Sequence, residues 1–514
     1  MKPNFYKTLI LKLPTDYSED LLRTKINKEI KTKEFAYQIE NKSLDARDKK
    51  NIFWQIKVVV SSPSIKGDNI TKPQSLEIPY KKRDQSITVI GSGPAGFFCA
   101  YVLQSAGYDT TIIERGSDVD ERNKSIKEFE STSCFTPSAN YAFGEGGAGT
   151  FSDGKLTSRS KHITKERQYI HQTYINAGAP EEIAYMAHPH LGSDNLIKIV
   201  KNSRTKFIGL GGKIHFNTQL TDIQARNSRV FSLSTNSGTI STDKVIIAPG
   251  HSAFETYRML IGRGVKFRTK NFAIGARVEH PQELINLAQW GKPSLAGVKA
   301  AEYRLTYNNE NSNPVFTFCM CPGGVIVPST GYEKQNIVNG MSSYNRDNIF
   351  ANAACVAGLN LNNLLGKEVS ALEALDWLEK LEQNFFTYSG SYKAPFCNIK
   401  DFINRKNTNI IPSSSYSLGL TAAPLWELLP QQISTSLRQG LIDFNKKLKG
   451  FDSGTIMGLE SKTSSPIQVL RDSTGLCQGF NNLYLIGEGS GYSGGIISSA
   501  ADGINTAMAL INQN

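Results

Sequence analysis

The 514-residue sequence predicts an α/β fold with three parts. We expect a Rossmann-type, doubly wound nucleotide-binding domain that is interrupted by a mixed α+β domain and preceded by a small α/β domain. A glycine-rich strand–turn–helix pattern begins only at residue 87, well inside the chain. Two further strands with glycine turns follow near residues 245 and 483, and the segment 271–450 between them mixes strands and helices without a nucleotide-binding pattern.

Composition limits the class of protein. The chain is 39% hydrophobic and 20% charged, as in ordinary globular proteins. No apolar run reaches the ~20 residues that a membrane span needs, and the start, MKPNFYKTLILKLP, lacks a signal-peptide pattern. The seven cysteines are an odd number scattered through a long chain, which favours reduced thiols over a secreted disulfide framework. We therefore expect a cytoplasmic protein, and the sequence leaves its oligomeric state open.

Residues 1–84 are predicted to form a small basic domain. Residues 1–85 hold 18 lysine and arginine residues against 11 acidic residues, so they carry +7 of the net +12. The segments FYKTLILKLP, TDYSEDLLRTKINKEIK, FAYQIENKSLD and NIFWQIKVVVSS predict a strand, an N-capped helix and two more strands. PSIKGDNITKPQ then predicts a loop. The charge fits a solvated surface, and a nucleic acid or an acidic partner is the alternative.

The nucleotide-binding pattern lies in ITVIGSGPAGFFCAYVLQSAGYDTTIIERG, residues 87–116. Gly91, Gly93 and Gly96 follow a β-branched strand: the first permits the tight turn, the second lets the backbone approach a pyrophosphate, and the third lets the helix pack closely on the strand. The phosphates would lie at the helix N-terminus, where free amides and the macrodipole favour anions. Glu114, 18 residues beyond Gly96, is placed to accept hydrogen bonds from ribose hydroxyls.

Three later segments predict the rest of this domain. GLGGKIHFNTQLTDIQ, residues 209–224, is a glycine turn followed by a strand that suits the same sheet. STDKVIIAPGHSAFETY carries a strand that ends at Ala248-Pro249-Gly250. NNLYLIGEGSGYSGGIISSAADGINTAMAL, residues 481–510, gives a strand, an acidic turn and a helix that opens with two glycines.

Together these segments resemble the FAD-binding half of glutathione-reductase-type flavoproteins. The resemblance implies that the first glycine turn takes the ADP end of FAD, and that Glu488, in place of the usual aspartate, holds the ribityl or pyrophosphate part. It also implies that the final helix points its N-terminus at the flavin pyrimidine ring, where backbone amides stabilise the negative charge of the reduced flavin. The implied FAD contacts are Gly91, Ser92, Gly93, Pro94, Ala95, Gly96, Glu114, Arg115, Gly146, Gly147, Leu220, Ala248, Gly250, Gly487, Glu488, Gly494, Gly495 and Ile496.

A tighter resemblance covers nearly the whole chain. The blocks FGEGGAGTFSDGKLTSR, FAIGARVEHPQELI, FCMCPGGVIVP and KTSSPIQV, in this order and spacing, resemble the uncharacterised bacterial FAD-dependent dehydrogenases. This family joins a small N-terminal domain to an FAD domain that is interrupted by a second domain. The implied divisions are 1–84, then 85–270 with 451–514 for the FAD domain, and 271–450 for the inserted substrate or lid domain.

The segment GEGGAG repeats the glycine spacing at Gly144, Gly146 and Gly149, but no strand leads into it. We interpret it as a loop that wraps the flavin or its phosphates. Because no second strand–turn–helix pattern is found, a dedicated NAD(P)H domain is not expected. The hydride would then come from the substrate, or from a nicotinamide that binds transiently at the flavin face.

Cys319, Cys321 and His251 are the candidate catalytic residues. Cysteines separated by one residue close a small, strained and easily reduced disulfide ring, which suits a flavin-linked dithiol; two structural thiols on an apolar strand are the alternative. No second cysteine pair or histidine cluster accompanies them, so no metal site is expected. His251 is either a base or a structural hydrogen-bonding residue. Arg277 is a candidate partner for a carboxylate or phosphate, with an ion pair to Glu279 or Glu283 as the alternative.

The sequence therefore predicts an FAD-dependent oxidoreductase, either a dehydrogenase or a reductase. It would transfer a hydride between non-covalently bound FAD and a small molecule that the sequence does not identify, with NAD(P)H as a candidate transient reductant. Two alternatives give a role to the basic N-terminal domain. One is a non-catalytic flavin sensor or scaffold, and the other is a flavin-dependent RNA-modifying enzyme.

Overall fold

The computed structural model describes residues 5–66, 75–310, 312–407 and 410–513. Its first elements have the predicted order: β1 (Phe5–Leu13), α1 (Glu19–Ile30), β2 (Ala36–Asp45) and β3 (Phe53–Ser62). β3 lies between β1 and β2 in an antiparallel sheet, and one face of the sheet packs on α1 through its own apolar core. Most of the loop predicted over 63–74 lies outside the described residues.

The next part of the chain alternates strands and helices. Its elements are β4 (Ser86–Ile90), α2 (Pro94–Ser105), β5 (Asp109–Ile113), α3 (Val119–Thr132), α4 (Thr164–Asn176), α5 (Gly192–Gly209), β6 (Lys213–His215), β7 (Leu220–Arg226), β8 (Arg229–Thr235), β9 (Gly238–Ile240), β10 (Lys244–Ile247) and α6 (Phe254–Gly262). Short 3-10 turns lie at Ala148–Phe151 and Glu181–Ala184.

The middle of the chain is richer in antiparallel strands. It contributes β11 (Phe267–Thr269), β12 (Phe272–Pro281), α7 (Gln282–Trp290), β13 (Thr306–Asn309), β14 (Ser312–Cys321), β15 (Gly324–Pro328), β16 (Val338–Ser342), β17 (Phe350–Leu359), α8 (Leu361–Leu365), α9 (Ala371–Ser389), β18 (Ala394–Asn398) and α10 (Ile399–Asn404). The remaining elements are β19 (Leu420–Ala422), α11 (Leu425–Leu428), α12 (Gln431–Lys447), β20 (Thr455–Glu460), β21 (Ile467–Val469), β22 (Leu483–Leu485) and α13 (Ile496–Asn512), with 3-10 turns at Phe451–Ser453 and Glu488–Ser490.

The nucleotide-binding pattern belongs to a parallel sheet with the order β22-β10-β4-β5-β6. Helices α2, α4, α5 and α13 cover one face, as in a Rossmann-type domain. The other face is covered by α6 and by a separate antiparallel sheet, β7-β8-β9, so the expectation of a helix-covered, doubly wound sheet is wrong for that face. Of the segment 209–224, only Lys213–His215 joins the parallel sheet; the strand beginning at Leu220 belongs to the antiparallel one.

A second sheet has seven strands in the order β13-β14-β17-β12-β20-β18-β19, and only its last pair is parallel. Helices α9 and α12 bury their apolar faces against it. β20 (Thr455–Glu460) pairs with β12 and β18, although the sequence-based division at 450 assigned it to the FAD domain. Among the described residues, no helix is both long enough and apolar enough to cross a membrane.

Candidate functional site

The glycine turn between β4 and α2 is as tight as its sequence predicts. The φ of Gly91 is +97°, and a Cβ there would lie 2.3 Å from the carbonyl oxygen of Ala248. A Cβ on Gly96 would lie 2.0 Å from the carbonyl oxygen of Gly91. Gly93 differs, because its Cβ would meet only the Cα of Gly147, at an ordinary 3.7 Å. Protein packing therefore explains the first and third glycines, whereas the second faces space in front of the helix.

Helices α2 and α13 begin side by side. A Cβ on Gly149 would lie 3.1 Å from Cγ1 of Ile496 and 3.9 Å from Cγ of Pro94, which are the first residues of the two helices. Both N-cap residues are glycines, Gly93 and Gly495, so no capping side chain satisfies the first amides. Two sets of free amides and two positive dipole ends thus lie at one end of the domain, an arrangement that favours a bound anion.

Three more predicted glycines face open space. Apart from chain neighbours, no described atom lies within 4 Å of a Cβ placed on Gly250 or Gly495, and for Gly494 the nearest is Oε1 of Glu488 at 4.0 Å. Gly487, by contrast, is packed, with its Cβ position 2.7 Å from the Cβ of Ala95. Packing does not demand glycine at 250, 494 or 495, so these positions leave room for a ligand.

Arg122 of α3 holds the glycine loop, residues 144–149, through hydrogen bonds to backbone carbonyls. Its guanidinium is fully buried. Nε donates to the carbonyl of Asn140 and Nη1 to the carbonyls of Glu145 and Gly147, all at 2.8 Å. The loop follows no strand, as predicted, and its shape depends on these bonds. Sequence analysis missed Arg122 because an arginine in a highly charged helix is expected at the surface.

Glu114 follows β5 as predicted, but protein groups already occupy its carboxylate. Oε2 accepts hydrogen bonds from the N–H and the hydroxyl of Ser92, at 2.9 and 2.8 Å. Oε1 accepts from the N–H groups of Gly116 and Gly144, at 2.9 and 3.1 Å. Glu114 therefore ties the glycine turn to the glycine loop, and its contact with a ribose stays a prediction.

Two other predicted contacts lie in packed surroundings. Arg115 forms an ion pair with Glu255, and its guanidinium carbon lies 3.7 Å from the ring centroid of Phe143. The side chain of Leu220 is buried in the apolar core between the parallel sheet and β7-β8-β9. Contacts of Arg115 and Leu220 with a cofactor stay predictions.

The structure brings His251 and Glu488 together. Nδ1 of His251 lies 3.3 Å from Oε1 of Glu488. The other ring nitrogen, Nε2, is buried and has no hydrogen-bond partner among the described residues. A buried polar atom without a partner is costly, so this nitrogen is suited to a ligand. Sequence analysis proposed the two residues separately, for catalysis and for the cofactor, and did not predict that they pair.

Arg277 of β12 is the centre of a buried polar network on the second sheet. Nη1 donates to Oε2 of Glu460 at 2.7 Å and to Oδ1 of Asn339 at 3.0 Å, and Nε donates to Oδ1 of Asn352 at 2.7 Å. Burial raises the pKa of Glu460 to about 7, and the charge of Arg277 offsets only part of that shift. The network therefore contains a carboxyl group that titrates near neutral pH.

The ion-pair partners that the sequence suggested for Arg277 are wrong. Glu279 instead accepts a hydrogen bond from the backbone N–H of Ser415, and the ion pair with Glu460 arises because β12 pairs with β20. Nη2 of Arg277 donates to the carbonyl of Cys319 at 2.6 Å, so every side of the guanidinium has a protein partner. Its contacts do not support direct binding of a substrate anion.

Cys319 and Cys321 end β14 beside this network. Nη2 of Arg277 lies 3.5 Å from Sγ of Cys321. Lys155, which follows the glycine loop, donates to the backbone carbonyl between the two cysteines and forms an ion pair of 3.1 Å with the buried Asp153. The two candidate thiols, the network and the segment after the glycine loop therefore meet at one place, which sequence spacing alone could not show.

Fold and site together define a class of protein. The described residues contain a parallel sheet with the nucleotide-binding glycine turn, two glycine-capped helix N-termini that begin side by side, and a second sheet with a buried polar network beside the bulge that Lys155 contacts. Among the described residues, no group of three or more histidine, cysteine or acidic side chains is placed to hold a metal ion. These are the features of a dinucleotide-binding flavoprotein.

Comparisons with known proteins identify the family. Residues 85–283 match the family described as pyridine nucleotide-disulphide oxidoreductase, and residues 271–463 match that described as FAD-dependent protein, C-terminal domain-like. An uncharacterised protein of Clostridium beijerinckii is 36% identical over 98% of both chains. The chain belongs to this family of bacterial FAD-dependent oxidoreductases with a glutathione-reductase-type FAD-binding domain, and its cofactor is FAD.

Solved structures resemble the chain only distantly. CtdE in complex with FAD gives a TM-score of 0.37 at 11% identity, covering 84% of this chain and 86% of CtdE. L-proline dehydrogenase from P. horikoshii gives 0.36 at 12% identity, covering 85% and 95%.

The residues present fit FAD. The free amides of α2 and α13 suit a pyrophosphate and an electron-rich ring edge, and the open glycines leave the backbone accessible. The unpartnered Nε2 of His251 offers one more hydrogen-bonding group close to Glu488. The predicted helix that follows Gly494 and Gly495 is present, because α13 begins directly after Gly495, and the contact of these glycines with the flavin stays a prediction.

Proposed function

We propose that this protein transfers a hydride between FAD and a small-molecule substrate held where the two large sheets meet. The observation that carries the proposal is the buried network of Arg277 and Glu460, beside which Lys155, from the segment after the glycine loop, donates to the carbonyl of Met320. FAD, when bound, supplies an acceptor or donor for the hydride. The substrate itself, or a transiently bound NAD(P)H, is the other hydride partner.

In this proposal the two helix N-termini would hold FAD. The amides of α2 would bind the pyrophosphate, the amides of α13 would stabilise negative charge on the flavin, and Glu488 would hold the linking part of the molecule. The proposed FAD contacts are Gly91, Ser92, Gly93, Pro94, Ala95, Gly96, Glu114, Arg115, Gly146, Gly147, Leu220, Ala248, Gly250, Gly487, Glu488, Gly494, Gly495 and Ile496.

We also assign the three parts of the chain in this proposal. Residues 1–84 form the basic N-terminal domain, residues 85–270 and the end of the chain form the FAD domain, and the segment from 271 forms the substrate domain. Because β20 pairs within the second sheet, the substrate domain continues past the predicted boundary at 450, to Glu460.

The seven cysteines are all unpaired, which is in keeping with a reducing cytoplasm.

Glu460 is the proposed proton donor or acceptor. A carboxyl group with a pKa near 7 is present in both protonation states at neutral pH, which suits general acid–base work. Arg277 holds the carboxyl group in one orientation through the 2.7 Å contact. His251 is a second candidate, since its Nε2 has no protein partner.

The first experiment is the visible spectrum of natively purified protein, followed by identification of the released flavin and anaerobic addition of NADH or NADPH. Bleaching by one nicotinamide supports a reductase, whereas bleaching only by other small donors supports a dehydrogenase whose substrate gives the hydride. The proposal is overturned if no nicotinamide, alcohol, amine or hydroxy acid reduces the bound FAD, and no quinone or enone reoxidises it after reduction with dithionite.

Glu460→Gln tests the assignment of the proton-transferring group. We expect it to keep the FAD spectrum, to slow reduction by the effective donor 100-fold or more, and to remove the inflection near pH 7 from the rate profile. Glu279→Gln is the matched control. Glu279 also carries a buried carboxyl group, but it lies on β12 and is bonded to Ser415. Equal effects of the two variants would contradict the role of Glu460.

A further inference from the structure

The backbone at Cys319 departs from a regular strand. In the pairing of β14 with β17, Phe318 lies opposite Ala354 and Cys321 opposite Asn352, so an extra residue is inserted between them. The φ of Cys319 is +43°, in the left-handed region that residues other than glycine rarely occupy. Such a conformation is unfavourable and persists only where the surroundings impose it.

Two cations impose this conformation. Nη2 of Arg277 donates to the carbonyl of Cys319 at 2.6 Å. Because the rest of the guanidinium is fixed in its network, this donor holds the carbonyl in one position. Lys155 donates to the carbonyl of Met320, the next residue. Consecutive carbonyls of the bulge are therefore each held by a positively charged group, and the positions of the neighbouring thiols are set by the same contacts.

The two thiols are close and unequal. The thiol of Cys321 is fully buried, with its Sγ 3.3 Å from the carbonyl oxygen of Cys319, and Cys319 is partly accessible. A hydrogen bond from Cys321, together with the charges of Lys155 and Arg277, lowers the pKa of the Cys319 thiol against the opposing effect of burial. The same hydrogen bond raises the pKa of Cys321. A thiol of lowered pKa beside a thiol of raised pKa is the usual arrangement of an exchanging pair.

Other buried cysteines of the described chain behave differently. Burial raises the pKa values of Cys355, Cys397 and Cys477 to about 12. These thiols lie in apolar surroundings without a nearby pair and are expected to be inert. The lowered pKa of the Cys319 thiol is therefore a property of the bulge, because burial alone raises the pKa of a thiol.

We propose that Cys319 and Cys321 form a redox pair that alternates between two thiols and one internal disulfide, with the bound FAD as its electron partner. This inference rests on the proposed function, of which it names a further step. When the S–S bond forms, the two S–H bonds break, and two electrons and two protons pass to FAD, which becomes FADH₂. The reverse reaction returns them and restores both thiols, so the exchange balances without any other reactant.

The location of the pair supports electron exchange with FAD. Lys155 connects the bulge to the segment that follows the glycine loop, and Gly149 at the end of that loop lies close to the first residues of α2 and α13. Arg277, which donates to the carbonyl of Cys319, also forms an ion pair with Glu460. The charge of His251 affects the pKa of Glu460, and His251 lies beside Glu488. The pair thus lies at the end of β14 in the second sheet, where Lys155 reaches it from the segment that follows the glycine loop.

The first test asks whether the disulfide forms in the wild-type holoprotein. Trypsin cleavage after Arg304 and Lys334 releases a peptide, residues 305–334, whose only cysteines are Cys319 and Cys321. After oxidation with diamide, denaturation and alkylation, we expect this peptide to be unalkylated and two hydrogens lighter; after prior reduction it should carry two alkyl groups. Two alkyl groups after oxidation would overturn the proposal.

The second test is an anaerobic titration of the oxidised holoprotein with dithionite, followed by the FAD absorbance. If the pair exchanges electrons with FAD, the wild type consumes four electrons per FAD, whereas Cys319→Ser and Cys321→Ser each consume two. Cys134→Ser, at an exposed cysteine far along the chain, should still consume four. A wild type that consumes two electrons although its disulfide is present would overturn the exchange.

These results are separable from those for the proposed function. Dithionite reduces flavins without a specific substrate, so the titration needs only bound FAD and not a productive hydride donor. A four-electron titration in a protein that no donor reduces would retain the redox pair and reject hydride transfer. A two-electron titration in an active oxidoreductase would reject the redox pair and retain hydride transfer.

Discussion

At the scale of single residues, the site depends on charged side chains that are buried and directed at backbone carbonyls. Arg122 is one of them, and its guanidinium fixes the glycine loop through two contacts of 2.8 Å, to the carbonyls of Glu145 and Gly147. Arg277 does the same for the cysteine bulge. A guanidinium can serve several carbonyls at once because its donors form a rigid planar fork, which the single ammonium of lysine does not.

Arg122→Lys should therefore weaken FAD binding. Lysine keeps the charge but loses the forked geometry, and at least one buried carbonyl is left without a donor, at about 1–3 kcal/mol. We expect the dissociation constant of FAD, measured by reconstitution of the apoprotein, to rise about 10-fold or more. Arg263→Lys is the control, because Arg263 forms a half-exposed ion pair with Asp222 away from the loop. An unchanged dissociation constant for Arg122→Lys would show that the loop does not depend on this residue.

Lys155 should control the reactivity of Cys319. Its positive charge favours the thiolate, so removing it in Lys155→Met should raise the pKa of the Cys319 thiol. We expect the rate of iodoacetamide alkylation of Cys319, followed by peptide mass, to reach its half-maximum at lower pH in the wild type than in Lys155→Met. Lys161→Met, at an exposed lysine six residues on, should leave the midpoint unchanged.

His280 should make stability depend on pH. Burial lowers its pKa to about 4, and its Nε2 donates to the carbonyl of Phe451 at 2.7 Å. An unfolded histidine titrates near 6.5, so between pH 6.5 and 4 the unfolded chain binds more protons and the free energy of unfolding falls as the pH falls. Urea titrations at several pH values should show a shallower decline for His280→Gln than for the wild type. His215→Gln, at an exposed position, should match the wild-type slope.

At the scale of elements, α2 and α13 pack in close contact within the FAD domain. A Cβ on Gly503 of α13 would lie 2.1 Å from the carbonyl oxygen of Ala95. A backbone oxygen in a helix cannot move aside cheaply, so a side chain here must separate the two helices. Because their N-termini begin side by side, the separation would also change the cofactor site.

Gly503→Ala should lower both stability and FAD affinity. Overpacking of this kind costs about 1–3 kcal/mol, which a chemical denaturation curve resolves. The control is Gly262→Ala in α6, where no atom beyond the helix lies within 4 Å of the new Cβ, so stability should be unchanged or slightly raised. If Gly503→Ala were as stable as the wild type and bound FAD equally well, the close contact would not be needed.

The sequence predicts elements better than it predicts their partners. The glycine turn, α13 and the βαββ order of the N-terminal segment follow from local patterns, and the structure has them. The strand at Leu220 was recognised, but its sheet was not, because strand signals do not specify which strand pairs with which. For the same reason the pairing of β20 with β12, and with it the contact of Arg277 with Glu460, could not be predicted.

At the scale of the whole molecule, the N-terminal domain is docked and not merely tethered. The N–H of Lys42 in β2 donates to the carbonyl of Tyr185 at 2.8 Å, and the N–H of Ala187 donates back to the carbonyl of Lys42 at 2.9 Å. Met186 and Val298 pack against the apolar core of the domain. These contacts hold the basic domain against residues 185–187 and Val298, whatever partner its charge attracts.

Gly297 is the closest point of this docking surface. Its φ is +72°, and a Cβ there would lie 2.0 Å from the carbonyl oxygen of Thr15. Gly297→Ala in the full-length protein should therefore push the N-terminal domain away without disturbing the parallel sheet. We expect faster trypsin cleavage at the exposed residues Lys81 and Lys82, with an unchanged FAD spectrum.

Gly264→Ala is the control that separates the steric clash expected at Gly297 from the strain of placing alanine at a positive φ. Gly264 also has a positive φ, +86°, but no atom lies within 4 Å of its Cβ position, so the substitution carries similar backbone strain without a steric conflict. It should leave the cleavage rate at the level of the wild type. Loss of FAD in Gly297→Ala would show that docking and cofactor binding are coupled. An unchanged cleavage rate would mean that the bridge between Lys42 and Tyr185 holds the domain without Gly297.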